Sequence, residues 1–232
     1  GKGIKASNLE IKGSDNYGIY NLANQDILAK DLNISGSTSF GIYSTGTGKI
    51  NVSNISVSGE NSAGIYSKHA TITQTGDITS KGLGIYSEDG TVTLNGSKIS
   101  LDNNDGIGVK AKNSNVTISN AMTISDGKEG AAGIYSEGTG NITFNNNLVV
   151  NKDIIGVYKN GTGTISLNGS STTILENGIG VYSKGAEVKN VGSLNVTSKN
   201  AKGIYVENNK LISTGKVTIN GENAIGLAGK NG

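Results

Sequence analysis

The sequence predicts an all-β fold: a right-handed parallel β-helix of about ten coils, each of ~23 residues with three short strands. Three observations predict it. A Gly-Ile-Tyr tripeptide recurs ten times at near-constant spacing. Between recurrences, apolar and polar residues alternate in short runs bounded by Gly, Asn and Ser. No stretch holds helical spacing long enough to compete.

The tripeptide stands at Gly18-Ile19-Tyr20, Gly41-Ile42-Tyr43, Gly64-Ile65-Tyr66, Gly84-Ile85-Tyr86 and Gly108-Val109-Lys110. It continues at Gly133-Ile134-Tyr135, Gly156-Val157-Tyr158, Gly180-Val181-Tyr182, Gly203-Ile204-Tyr205 and Gly226-Leu227-Ala228. Successive glycines are 23, 23, 20, 24, 25, 23, 24, 23 and 23 residues apart. Glycine and a branched apolar residue recur in all ten, and tyrosine in eight, leaving only Tyr17 outside the series. With no interruption long enough to be a linker, residues 1–232 read as one repeat segment, a piece of a longer array.

The remaining two strands of a coil show as paired alternations. Ile50/Val52 and Ile55/Val57 are one set; Val92/Leu94 with Ile99/Leu101, and Val116/Ile118 with Met122/Ile124, are others. In the third repeat the strands are Thr71-Ile72-Thr73 and a run from Ile78, with turns at Ser67-Lys68-His69 and Gly76-Asp77. Such short strands cannot bury an apolar face alone; stacking each on its equivalent one coil later supplies the partner. Parallel crossovers are right-handed almost without exception, hence the predicted hand. Ten rungs at ~4.8 Å make a rod roughly 45–50 Å long.

Three positions before the glycine stand Asp15, Asn61, Asp105, Asp153, Asn177, Asn200 and Asn223. Asn and Asp tolerate left-handed backbone angles and bond their own backbone, so this column reads as a fixed corner rather than a metal row. Strict alternation around the tripeptide puts Ile inward and both Gly and Tyr outward. It also puts Tyr17, Phe40, Leu83, Ile107, Ile155, Ile179 and Ile225 on the isoleucine's inner face. The tyrosines then form a surface ladder beside a bare glycine stripe, their rings covering the backbone that glycine exposes.

Composition narrows function. One third of the residues are hydrophobic, which excludes simple disorder; the absence of proline excludes a collagen-like helix. All basic residues are Lys, they are scattered, and the net charge is +2, which argues against nucleic acid. There is no Cys, so disulfides and thiolate metal sites are ruled out. No run approaches the ~20 apolar residues of a membrane-spanning helix, and no stretch of residues 1–232 reads as a signal peptide. The lone His69 lies in a polar turn, and Glu88-Asp89 and Asp102-Asn103-Asn104-Asp105 read as solvated turn acids rather than a glycosidase pair. Gly46-Thr47-Gly48, Gly138-Thr139-Gly140 and Gly161-Thr162-Gly163 lack the helix and Lys-Ser/Thr of a phosphate loop and read as turns. No catalytic residue, metal ligand or cofactor is expected.

Runs such as Asn61-Ser62-Ala63-Gly64-Ile65-Tyr66-Ser67 and Ala132-Gly133-Ile134-Tyr135-Ser136-Glu137-Gly138-Thr139-Gly140 resemble the passenger repeats of large Gram-negative type V autotransporter adhesins, especially the fusobacterial type. The resemblance covers essentially the whole chain. It implies a right-handed β-helical passenger on the bacterial surface, held by its own C-terminal outer-membrane barrel and attaching to host cells or other bacteria through a surface protein or glycan. No ligand site transfers with it.

The expected function is therefore a structural and adhesive segment; the alternative is a carbohydrate-active β-helix, a lyase or hydrolase, which would carry long loops and clustered Asp. The candidate binding residues are Tyr20, Tyr43, Tyr66, Tyr86, Tyr135, Tyr158, Tyr182 and Tyr205. A row repeated in nearly every coil favours a structural ladder over a site, which needs only a few rungs.

Overall fold

The computed structural model describes residues 3–231. Of the expected segment, residues 1, 2 and 232 lie outside the described residues, as do the side chains of Asn103 and Asn104. The described residues form a parallel β-solenoid with two sheets. One has ten strands, each carrying one copy of the tripeptide, from Tyr17–Asn21 to Ile225–Lys230. The other has seventeen strands and supplies the rest of the wall. Every pairing is parallel and joins a strand to its equivalent in the next coil: Ile42 to Ile65, Ile65 to Ile85, Ile134 to Val157.

Three strands per coil hold from the third tripeptide onward, as in Thr71–Gln74 and Ile78–Ser80. Earlier, the two non-tripeptide strands are fused into nine-residue strands, Gly3–Ile11, Asp26–Ile34 and Lys49–Val57. Their alternation changes phase at Lys30-Asp31 and Ser53-Asn54 without a glycine, so the backbone bends there instead of breaking. In the third coil Gly76-Asp77 makes the break.

The tripeptide isoleucine faces in. Ile42, Ile65, Ile85, Val109, Ile134, Val157 and Val181 are 0% exposed and stack as one column of the core. Burying each such side chain stabilises by about 1.5–3 kcal/mol before ordering entropy is set against it.

From Gly41 to Gly226 the glycine is buried, which corrects the strict-alternation reading. A Cβ on Gly64 would lie 2.3 Å from Ile55 Cγ2 and 2.7 Å from the Gly84 carbonyl oxygen. On Gly133 it would lie 2.4 Å from Ile124 Cγ2 and 2.9 Å from the Gly156 oxygen. Glycine and isoleucine thus both face inward, and the alternation slips by one residue between them. The slip throws the preceding residue outward. Tyr17 is 50% and Ile225 45% exposed, and Phe40, Leu83, Ile107, Ile155 and Ile179 are half-buried, so this column belongs to the tyrosines' face. No side chain fits at the slip because the opposite wall is already there; that is why the position is glycine in every coil.

The corner column is largely as expected. Asp15, Asn61, Asp153, Asn177, Asn200 and Asn223 all have positive φ, between 53° and 60°. Their side chains form a ladder: Asn177 Nδ2 donates to Asp153 Oδ1 at 2.8 Å and Asn200 Nδ2 to Asn177 Oδ1 at 3.3 Å. Asp105 is the exception; in its coil the left-handed residue is Asp102, three residues earlier. The strand before the opposite corner runs through Lys68, so His69, with φ 64°, is the turning residue rather than Ser67-Lys68-His69 as a unit.

Behind the tyrosine position, the next residue points in from Asn21 to Val206 and is serine in five of the ten coils. Ser44, Ser67, Ser87, Ser136 and Ser183 are all buried. Ser183 reaches the corner backbone, its Oγ donating to the Ala186 carbonyl at 2.7 Å, and Ser87 Oγ bonds the buried Ser114 Oγ of the next coil at 3.2 Å. In the seventh coil this column holds Lys159, 0% exposed. Its Nζ donates to Ser136 Oγ at 3.2 Å and to the Gly138 carbonyl at 3.4 Å. The wide Gly138-Thr139-Gly140 corner leaves room for the aminobutyl chain, since no side chain there turns inward as Ala70 and Ala186 do in other coils.

Burial pushes the Lys159 ammonium down to about 8 from 10.5. Below pH 8 both folded and unfolded chains carry the proton, and the fold bears the full cost of the buried charge. Between pH 8 and 10.5 the unfolded chain binds more protons, so stability rises with pH through that window. Lys159→Met keeps the volume without the charge. It should be more stable than wild type by on the order of 3 kcal/mol at pH 7. The advantage should shrink towards pH 10.5. Urea midpoints measured across this range check it; an advantage independent of pH would mean the charge is not its source.

Candidate functional site

The outer face of the ten-stranded sheet brings all eight predicted tyrosines into one row. It does so because each tripeptide pairs in register with the next, so like residues meet: Tyr20 with Tyr43, Tyr43 with Tyr66, Tyr66 with Tyr86. The row is two runs of four. In the first, rings lie near-parallel with centroids 5.2, 5.0 and 4.7 Å apart from Tyr20 to Tyr86. In the second, Tyr135 stacks on Tyr158 at 5.1 Å, while Tyr158–Tyr182 and Tyr182–Tyr205 meet edge to face at 5.2 and 5.1 Å. Each such contact contributes about 0.5–1.5 kcal/mol beyond area burial.

Beside this row runs the second, displaced column. Tyr17 stacks on Phe40 at 5.4 Å, and Phe40 meets Tyr43 and Tyr66 edge-on at 6.0 and 5.8 Å. Sequence reading saw these apolar residues and put them on the wrong face, so it missed that the exposed stripe is two residues wide. Their bulk is the signal in the sequence: Tyr17 and Phe40 stand where the same column holds Ala63 and Ala132, a range of sizes that an exposed face accepts and a packed core does not.

On the other flank is a column of alternating charge: Lys68, Glu88, Lys112, Glu137, then Asn160, Lys184, Glu207 and Lys230. Glu88 is its clearest node. Lys112 Nζ donates to Glu88 Oε1 at 2.8 Å, Lys68 Nζ lies 3.3 Å from Oε2, and Tyr86 Oη donates to Oε2 at 3.4 Å. The Lys112 hydrogen bond, seconded by Lys68, holds Glu88 below the usual carboxylate range. Burial, then the Glu88 charge, pushes the Tyr86 phenol up to about 12, so it is a neutral donor. Glu207 accepts from Tyr182 at 3.0 Å and Tyr205 at 3.1 Å in the same manner.

Lys110 interrupts the ring row. It pairs in register with Tyr86 on one side and Tyr135 on the other, and its Nζ sits 5.5 Å from the Tyr135 ring centre. Among the described residues it has no ion-pair partner. Next to it a notch of about 870 Å³ opens, walled by Glu60, Asn61, Lys81, Asp105 and Gly106 and floored by Phe40, Ala63, Leu83 and Ile107. Its origin is the short third coil, 20 residues between glycines, whose corner shrinks to Lys81-Gly82 beside the longer corner, residues 58–62, of the coil before it.

The other polar residues singled out in the sequence are dispersed. His69 is an exposed corner residue, Asp89 turns a corner at φ 52°, and Asp102 pairs with Lys81 at 3.5 Å. Among the described residues no group of three or more His, Cys, Asp or Glu is placed to hold a metal ion.

Parallel strands coiled around an apolar interior, with one wall faced in aromatic residues, define the class as a β-solenoid. The family model for the right-handed β-helix region matches residues 1–190, and the chain belongs to that family. The coils are right-handed accordingly. No curated protein and no solved structure matches the chain. Domains of this family occur in adhesins and in carbohydrate-active enzymes.

Proposed function

We propose that the chain is an attachment rod: a structural and adhesive segment of a bacterial surface autotransporter passenger, carried outside the outer membrane by a C-terminal barrel of the full-length protein. The observation that carries this reading is the two-residue-wide aromatic and apolar stripe running along the ten-stranded sheet. An exposed apolar stripe of that extent marks a contact surface. Its partner is a protein or glycan on a host cell or another bacterium. No cofactor and no catalysis enter the proposal.

Most of the stripe is scaffold. Tyr43, Tyr66 and Tyr158 have a ring on both sides, so their faces are not free for a ligand. Replacing these three together by Ser removes five contacts of the row and should lower stability by roughly 2.5–7.5 kcal/mol. It should leave attachment by the full-length protein intact at temperatures where the rod stays folded. Loss of attachment with an unchanged melting curve would make the whole row the contact surface.

The test of the reading itself is attachment of inert beads coated with the purified chain to epithelial cells and to bacteria, with soluble chain as competitor. Competed attachment is the expected result. Release of unsaturated or reducing sugar ends from a polysaccharide panel, without attachment, would favour the enzyme alternative.

A further inference from the structure

The charge column on the flank is not a simple alternation. From Glu88 to Lys230 it passes through Lys112, Glu137, Asn160, Lys184 and Glu207, so its signs run minus, plus, minus, neutral, plus, minus, plus. The phase turns over at Asn160. Every charge before it has its opposite at the same distance after it. Attraction between neighbouring coils needs only alternation, which a lysine at 160 and a glutamate at 184 would have kept. Inversion about one residue is what a two-fold axis requires. An isologous contact sets the residue a given number of coils before the axis against the residue the same number of coils after it in the partner.

The face beside the column fits the same operation. The ten-stranded sheet presents three outward columns: the charges, the tyrosine row and the largely apolar column before the glycine. A half-turn about the seventh strand, Ile155–Asn160, packs two such sheets face to face. It lays each column on its own copy and reverses the coil order. Tyr158 then meets the partner's Tyr158, Tyr135 meets Tyr182, and Lys110 meets the Tyr205 ring. Ring faces are taken up along the rod, so the partner meets their outer edges. Glu88 faces Lys230, Lys112 faces Glu207, and Glu137 faces Lys184. Glu137 and Lys184, nearest the axis, form no salt bridge within the chain among the described residues. The same signs decide the register. Moving the axis half a coil either way sets lysine on lysine and glutamate on glutamate wherever two charges meet, which penalises both neighbouring registers.

We infer that two copies of this chain pair face to face and antiparallel through coils four to ten of the ten-stranded sheet, with Asn160 on the two-fold axis. Each of these strands is six residues long. At the usual strand spacing they make a footprint of roughly 700 Å² per copy. That lies towards the lower end of specific interfaces, so pairing is expected at micromolar concentrations. Coils one to three lie outside the paired coils and leave Tyr17, Tyr20, Phe40 and Tyr43 open. The pairing is independent of what the rod attaches to.

Sedimentation equilibrium of the purified chain at low salt should show a monomer–dimer equilibrium that shifts towards monomer as salt is added. Asn160 is exposed, and its neighbours in the column are one glutamate and one lysine. Asn160→Glu and Asn160→Lys should therefore each melt with the wild type. Across the axis each variant meets its own charge, and its dimer should be weaker by about tenfold or more. An equal mixture of the two sets glutamate on lysine and should dimerise at least as tightly as the wild type. Three results overturn the inference. One is a chain that stays monomeric at its highest soluble concentration. Another is association unmoved by Asn160→Glu, as stacking of rods end to end would be. The third is a mixture that pairs no more tightly than either variant alone.

Discussion

Ile134→Asp should destabilise the rod by about 5 kcal/mol or more and melt the coils around it. Ile134 is 0% exposed, and it stacks between Val109 and Val157 in the central column of the core. The substitution removes a fully buried side chain and leaves a carboxylate among isoleucines and valines. Ionised, it has no partner; protonated, it is an unsatisfied polar group. Lys159 shows by contrast what a buried ionisable group needs here: it stands in the serine column, two positions from the isoleucine column, and has an oxygen on each of two neighbours. Because each coil contacts only its neighbours, the damage should stay local at first. Amide exchange should open fastest in the strands Ile107–Lys112, Ala132–Glu137 and Ile155–Asn160. An unchanged melting temperature would place Ile134 on the surface.

Gly133→Val is the second large effect, and its sign is informative. If glycine lay on the outer face, as strict alternation has it, valine would stabilise: it has higher strand propensity and loses less entropy on folding, together worth up to about 1 kcal/mol. In the structure the first added carbon already sits 2.4 Å from Ile124 Cγ2, and the Gly156 oxygen blocks retreat along the rod at 2.9 Å. Two further methyl groups must then displace the opposite wall. Overpacking of this kind costs about 1–3 kcal/mol, and valine should reach or pass the upper end. The same substitution at Gly130, which has nothing within 4 Å, offers no such clash; its φ of +95° makes it a test of backbone strain alone. A rise in melting temperature for Gly133→Val would restore the outward glycine.

These two residues also mark where the fold was legible. The period, the strand class and the inward isoleucine followed from apolar spacing, because a coil that must stack on copies of itself repeats its buried positions. The asparagine corner was legible for a similar reason: a positive φ selects few residue types. The face of the glycine was not. A period-two rule has no means of showing a slip, and glycine carries no side chain whose polarity could reveal one. Once the slip was missed, Tyr17, Phe40 and their successors went to the core on paper, and half of the exposed stripe vanished. Lys159 escaped notice because a lysine between a tyrosine and an asparagine looks like any surface lysine; only the wide corner beside it makes its burial feasible. The candidate site was visible in part: the eight tyrosines were found, whereas the notch depends on the difference in length between adjacent corners, a matter of three residues.

The alternating charges along the flank bear on how such a chain finds its own order. Near-identical coils raise a counting problem: isoleucine fits isoleucine and tyrosine fits tyrosine whichever two coils meet, so the core cannot tell a neighbour from the next one along. The column Lys68, Glu88, Lys112, Glu137 can. Looping out one coil would set Lys68 on Lys112, or Glu88 on Glu137, and replace attraction by repulsion. Each exposed pair is worth no more than about 1 kcal/mol, too little to hold the rod together. It is enough to make the wrong partner the slower and less populated choice at each winding step. The flank thus acts as an address written beside a repetitive text, legible only while salt is low enough to leave the charges unscreened.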